Sequence, residues 1–139
     1  MPGFLKRFKK SKILGYRSRA SFKLLELNKK FHFIKSNSNL LDLGSCPGGW
    51  SQVAREMITS GKIMSIDTKE MEFIKNVEFI KGNFLEENTK NKVIKYFNSN
   101  LDVILSDMAA DTTGNKSIDS IRTNQLCAEV INFSKDMLK

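Results

Sequence analysis

The chain has only two cysteines, Cys46 and Cys127, and a single histidine, His32. So few, so far apart, they give neither a zinc-ligand pattern nor a disulfide framework. A reducing, cytoplasmic setting is the default for such a chain. Cys46 is expected as a small loop residue, Cys127 as a core residue of a helix, and His32 as structural or solvated near a helix end. No apolar run is long enough to span a bilayer, and the charged N-terminus lacks the apolar stretch of a secretory signal. Repeats, low-complexity tracts and linkers are absent. Gly-x-Gly-x-x-Gly after a strand is also missing, which argues against a dinucleotide site and a nicotinamide-dependent oxidoreductase. No Gly-Lys-Ser/Thr closes a triphosphate loop. What is present, 139 residues with 40% hydrophobic content, fits one domain with a real core.

Charge is unevenly placed. Residues 1–35 hold eleven lysines and arginines against Glu26 alone, a net +10, while the rest of the chain sums to −2. A basic head on a near-neutral domain suits a polyanion, and phosphate contacts would make such binding salt-dependent. A solubilising tail is the plain alternative for residues 1–12. Phe4, Leu5 and Phe8 make too small an apolar face for membrane anchoring.

Along the chain, residues 1–15 read as a basic, mobile segment and 16–139 as the folded domain. Ser18 is a candidate N-cap for a helix whose Ala20, Leu24, Leu27 and Phe31 recur at helical spacing and should face the core. Arg19, Lys23 and Glu26 share another face. A polar loop at 35–39 precedes a first strand, Leu40-Leu41-Asp42-Leu43. Trp50, Val53, Ala54, Met57 and Ile58 form one apolar helix face, with Gly61 as its C′ residue. Strands are predicted at 62–66, 77–80 and 101–105, and helices at about 86–98 and from about 117 onward. The last helix places Leu126, Val130, Phe133 and Met137 on one side. Strand–helix alternation implies a parallel sheet with helices on both faces.

The densest information lies after the first strand. Gly44, Gly48 and Gly49 strip three Cβ atoms from one turn, and the next helix brings its free N–H groups there. An α/β sheet holds small polar ligands in such a place. Asp42, just before the turn, could accept from an ammonium or a water. Asp67 ends the second strand, where a carboxylate can accept two ribose hydroxyls. Asn83, followed by Phe84, ends the third and could read an adenine edge. Asp107 ends the fourth and would point into the cleft. Each alone could merely close a turn; together with the glycines they favour a cofactor site. Lys23 is either a solvated lysine or reaches Asp107, where it could orient a hydroxyl or act as a base.

With these residues in hand, the chain resembles the RrmJ/FtsJ family of RNA ribose 2′-O-methyltransferases. The matching pieces are Tyr16-Arg17-Ser18-Arg19-Ala20-Ser21-Phe22-Lys23-Leu24, Leu41-Asp42-Leu43-Gly44-Ser45-Cys46-Pro47-Gly48-Gly49-Trp50-Ser51-Gln52 and Ser106-Asp107-Met108-Ala109. They stand in family order and span nearly the whole chain. The resemblance implies a Rossmann-like fold and S-adenosylmethionine as cofactor, held by Asp42, Gly44, Ser45, Pro47, Gly48, Gly49, Trp50, Asp67, Asn83, Phe84 and Asp107. It implies no metal. It implies a Lys-Asp-Lys-Glu catalytic set, of which Lys23 matches the first lysine and Asp107 the aspartate. The second lysine and the glutamate would lie beyond residue 139, so the chain is expected to be the N-terminal part of a family member, lacking the C-terminal strands, marginally stable and inactive alone. Asn83 departs from the aspartate frequent at that position.

Ser-Asp-Met-Ala, with Thr112-Thr113-Gly114, looks most like the bacterial members that methylate a uridine of large-subunit (23S) ribosomal RNA. The tRNA-directed branch is the close alternative. A non-catalytic RNA-binding module is the alternative of a different class. Lys6, Arg7, Lys9, Lys10, Lys12, Arg17 and Arg19 are the candidate RNA contacts, and a monomer is expected.

Overall fold

Leu40–Leu43 is buried at all four positions, as the centre of a parallel sheet demands. A computed structural model of the chain describes residues 15–98, 100–107 and 115–138, except the side chains of 116–126. The order is α1 (Ala20–Phe31), β1 (Leu40–Leu43), α2 (Gly49–Met57), β2 (Ile63–Asp67), β3 (Glu78–Lys81), α3 (Glu87–Phe97), β4 (Val103–Ser106) and α4 (Lys116–Met137). The four strands pair in parallel in the order β3-β2-β1-β4. Because β1 neighbours both β2 and β4, the direction of winding reverses at its carboxyl end, where this architecture opens a crevice for ligands. The alternation expected from sequence therefore gives the expected sheet. Beyond α4, Leu138 makes an isolated parallel bridge to Leu101.

The strands' two-residue period divides the core. Leu41, Leu43, Met64 and Ile66 pack with Phe84, Val93, Phe97, Val130 and Met137 on one face. Leu40, Ile63 and Val103 pack with Leu24, Val53, Ala54 and Ile58 on the other. Burying each large aliphatic side chain contributes about 1.5–3 kcal/mol. Alternation also puts Asp42 on the face of Leu40, and Ser65 on that of Ile63, beneath α2. The site's buried polar groups originate there.

Several local expectations are corrected. Ser18 is not the N-cap of α1; Arg19 holds that position, with no side-chain cap bond. The helix turns Ser21 and Leu24 inward, leaving Leu27 39% and Phe31 62% exposed. The reason is the tie to the following segment. Asn28 accepts from the Ile34 amide and donates to Met57 Sδ, and His32 ends the helix in a left-handed conformation (φ 50°). The chain thus leaves before anything covers Phe31. Gly61 does not cap α2, which ends at Met57 with Ile58 extended. It is glycine because a Cβ there would collide with the Ser38 carbonyl. Cys127 is exposed, not core; Cys46 is a half-buried loop residue, as read.

Candidate cofactor site

The site begins with the chain's refusal to stay extended after Leu43. Gly44 (φ 71°) and Gly48 (φ 115°) take left-handed backbone that a side chain would disfavour. The Gly44 and Ser45 amides donate to the Ile66 carbonyl at 2.9 and 3.2 Å, folding the loop over β2. Gly49 begins α2 pressed against α1; a Cβ would strike the Ser18 and Ser21 hydroxyls. The result is a cleft of about 90 Å³ at the carboxyl end of β1. Its walls are Ser18, Ala20, Asp42, Gly44, Ser45, Cys46, Pro47, Gly49, Trp50 and Asp107. That volume is well under the roughly 300 Å³ of a small-molecule pocket and takes one end of a ligand.

Asp42 is the cleft's chemical centre. It is fully buried, and its Oδ2 accepts from the Ser51 hydroxyl at 2.7 Å. Ser51 Oγ lies 2.6 Å from Ser65 Oγ. Since Ser51 spends its hydrogen on Asp42, Ser65 must donate to Ser51. Asp42 Oδ1 and Ser45 Oγ, both in the cleft wall, are buried without a hydrogen-bond partner. Burial pushes the Asp42 carboxyl up to about 7; the Ser51 bond opposes this, and the charges of Asp107 and Asp67 reinforce it. A buried acceptor with nothing to accept favours a ligand bearing a donor, best of all a cation.

Six of the proposed cofactor residues flank this cleft with Asp42 and Asp107: Gly44, Ser45, Pro47, Gly49 and Trp50 in its wall, and Gly48 shaping the loop between them. Trp50 is steadied by its indole N–H, which donates to the Ala20 carbonyl at 2.9 Å. Asp67 stands behind the loop. Its Oδ2 accepts from the Cys46 amide and its Oδ1 from the Lys69 amide, each at 2.9 Å, leaving further lone pairs on both oxygens. Asn83 Oδ1 is engaged with the Leu85 amide, a local turn-closing bond. Phe84 is 2% exposed and packs edge-on against Phe133, outside the cleft wall, so it belongs to the core. Asp107 is exposed at the cleft mouth, its amide donating to the Leu43 carbonyl at 3.0 Å. Lys23 is exposed on α1, outside the cleft wall.

Of the candidate RNA contacts, Lys6, Arg7, Lys9, Lys10 and Lys12 lie outside the described residues, as does the 112–114 loop. Arg19 is exposed. Arg17 is turned onto backbone: it donates to the carbonyls of Pro47 (3.2 Å), Glu72 (2.8 Å) and Phe73 (3.0 Å). Ser51 and Ser65 belong to the site but were not singled out from sequence. The signal was a serine inside the apolar strand Ile63-Met64-Ser65-Ile66. No group of three or more acidic, histidine or cysteine residues poised to hold a metal occurs among the described residues.

A parallel sheet with its reversal point at β1, a glycine turn and strand-end carboxylates define a Rossmann-like α/β domain of the methyltransferase type. A model of the FtsJ-like methyltransferase family matches residues 16–139. The chain belongs to that family. It is 45% identical over 130 residues to the ribosomal RNA large subunit methyltransferase E of Pelagibacter ubique (strain HTCC1062), covering 94% of this chain and 64% of that one. The protein of the same description from Rickettsia akari (strain Hartford) is 45% identical over 136 residues, covering 94% and 60%. The chain thus spans under two thirds of the length of these curated relatives. A crystal structure of a Plasmodium falciparum protein, provisionally assigned as a ribosomal RNA methyltransferase, superposes with a TM-score of 0.77 at 35% identity. It covers 89% of this chain and 73% of its own.

Proposed function

We propose that the protein transfers a methyl group from S-adenosylmethionine to a ribose 2′-hydroxyl of RNA, a uridine of the large-subunit ribosomal RNA being the preferred target. The observation that carries the cofactor half is the buried, unpartnered Asp42 Oδ1 in the wall of a cleft framed by glycine backbone. The cofactor's ammonium is the kind of donor that this oxygen lacks. The small cleft suits the amino-acid end of the cofactor, with the adenosine extending past Asp67 toward Asn83. When bound, the cofactor supplies a methyl already activated by positive sulfur.

This chain's residues supply placement. Asp42 and the Gly49 amide, at the start of α2 in the cleft wall, fix one end of the cofactor. Asp107, at the cleft mouth, marks where the acceptor hydroxyl is oriented, and Lys23, exposed on α1 one turn beyond Ala20, comes to the hydroxyl when RNA occupies the mouth. The strongly basic residues 1–35, Arg19 among them, attract the RNA backbone. The preference for ribosomal RNA follows the description borne by the relatives. A monomer working in the cytoplasm completes the reading.

The test is methyl transfer by the full-length protein from radiolabelled S-adenosylmethionine to large ribosomal subunits, free 23S RNA and tRNA. Nuclease-resistant 2′-O-methyluridine from the ribosomal RNA is the expected product. Label on a base, or on tRNA alone, would overturn the assignment.

A further inference from the structure

Arg17 belongs to the basic head by composition, yet its guanidinium does not face outward like a phosphate ligand. It bonds three carbonyls on two separate pieces of chain. One nitrogen donates to the Pro47 carbonyl in the glycine loop and to the Glu72 carbonyl; the other donates to Phe73. Its backbone amide donates to Gln52 Oε1 on α2 at 2.8 Å, while Gln52 Nε2 donates to the Gly15 carbonyl at 3.2 Å. Next to it, the Tyr16 hydroxyl donates to Glu56 Oε2 at 2.7 Å. The glycine loop is therefore gripped from two sides: the Asp67 carboxylate holds the Cys46 amide, and the Arg17 guanidinium holds the next carbonyl.

The packing agrees. A Cβ on Gly48 would stand 2.9 Å from an Arg17 guanidinium nitrogen, and 3.1 and 3.2 Å from Met71 Sδ and Ile74 Cδ1. Arg17, the loop and the 71–74 segment are in direct apposition. Pro47 has no amide hydrogen, so its carbonyl is the handle by which the loop can be held at that point. A lysine could not serve equally, because one ammonium lacks the planar fork that spans several carbonyls.

From this geometry we infer that Arg17 is a positioning residue for the cofactor loop and not an RNA contact. It fixes Pro47, and through it the Ser45–Gly49 wall around Asp42, by tying the loop to the 71–74 segment and to the root of the basic head. The inference rests on the cofactor reading above. It deepens that reading by separating two roles within Tyr16-Arg17-Ser18-Arg19: Arg17 acts on cofactor affinity, while Arg19 stays on the RNA side.

The experiment uses the full-length protein with Arg17→Ala, Arg17→Lys and Arg19→Ala. Titration calorimetry with S-adenosylhomocysteine gives cofactor affinity, and RNA binding across a salt series gives the phosphate count. Loss of charge-assisted bonds to the loop should weaken S-adenosylhomocysteine by about tenfold in Arg17→Ala, with little rescue by Arg17→Lys. The slope of RNA affinity against salt should be unchanged in both. Arg19→Ala should do the reverse, leaving cofactor affinity intact and lowering the salt slope by about one. Unaltered cofactor affinity with a reduced salt slope in Arg17→Ala would overturn the inference and make Arg17 a phosphate contact. If the parent protein itself fails to bind S-adenosylhomocysteine, the cofactor reading falls, and the inference with it. Should Arg17→Ala not fold, Arg17→Lys is decisive alone: it keeps the charge that an RNA contact needs and loses the fork that the loop needs.

Discussion

Replacing Asp42 with asparagine tests the site through its protonation. The side chain is isosteric, and its oxygen can still accept from Ser51, but it carries no charge. In the native fold the carboxyl is raised from 3.8 to about 7, chiefly by burial. Its protonated form therefore favours the folded state. Below about pH 4 both states hold the proton and the Asp42 contribution to stability is constant. Between about pH 4 and 7 the unfolded chain has released its proton while the folded chain keeps it. Folding then weakens as pH rises and levels off above 7. Raising the carboxyl from 3.8 to about 7 corresponds to at most about 4 kcal/mol across that window. Urea unfolding between pH 5 and 8 reads this directly: the parent should lose stability with rising pH, and Asp42→Asn should lose much less. The same carboxyl should couple to ligand. Ionised Asp42 is the better partner for an ammonium, so S-adenosylhomocysteine affinity should rise between pH 6 and 8 in the parent and stay flat in the variant. Equal pH slopes for parent and variant, in stability and in affinity, would refute a buried titrating carboxylate at this site.

Leu24→Ala should destabilise the fold by about 2–5 kcal/mol in chemical denaturation, whereas Phe31→Ala, five-eighths exposed, should change it by under about 0.5 kcal/mol. Gly61→Ala should cost at least about 2 kcal/mol in the same assay, because its methyl meets the Ser38 backbone and not a movable side chain. Thiol labelling of the native protein should modify Cys127 well before Cys46, whose Sγ is engaged by the Glu70 carbonyl at 3.3 Å. Lys23→Ala should abolish methyl transfer while leaving S-adenosylhomocysteine affinity within about twofold, since Lys23 stands outside the cleft wall; tenfold weaker cofactor binding would contradict the role given to it.

The framework was legible where a single physical requirement dominated. Leu40–Leu43 carries leucines on both faces, interrupted by Asp42 alone, as suits a central parallel strand. The glycines of the 44–49 turn are demanded by backbone geometry, which a sequence displays directly. Three-dimensional partnership was less legible. Helical spacing put Leu24, Leu27 and Phe31 on one core face, of which only Leu24 is buried; Asn28, whose amide anchors the following loop to α2, turns the helix so that Leu27 and Phe31 stay out. Gly61 reads as a helix stop until the Ser38 carbonyl is seen against it. Arg17 reads as one more positive charge because nothing local says that three carbonyls converge on it. Ser65 was passed over because a hydroxyl in a strand gains meaning only from what stands above it.

The two sides of the sheet are not equivalent slabs. Under α3 and the described part of α4 the core cluster is apolar, with Phe84, Val93, Phe97 and Leu101 essentially sealed. Under α2 a seam of Asp42, Ser51 and Ser65 interrupts it, with one carboxylate oxygen unanswered. Local opening should therefore start on the α1–α2 side. Amide exchange would show α2 protecting its hydrogens less than β1 or α3 in the free protein, then gaining the most when ligand occupies the seam. On this view the small molecule is a structural component of the half that receives it, and its arrival rather than synthesis of the polypeptide completes that layer.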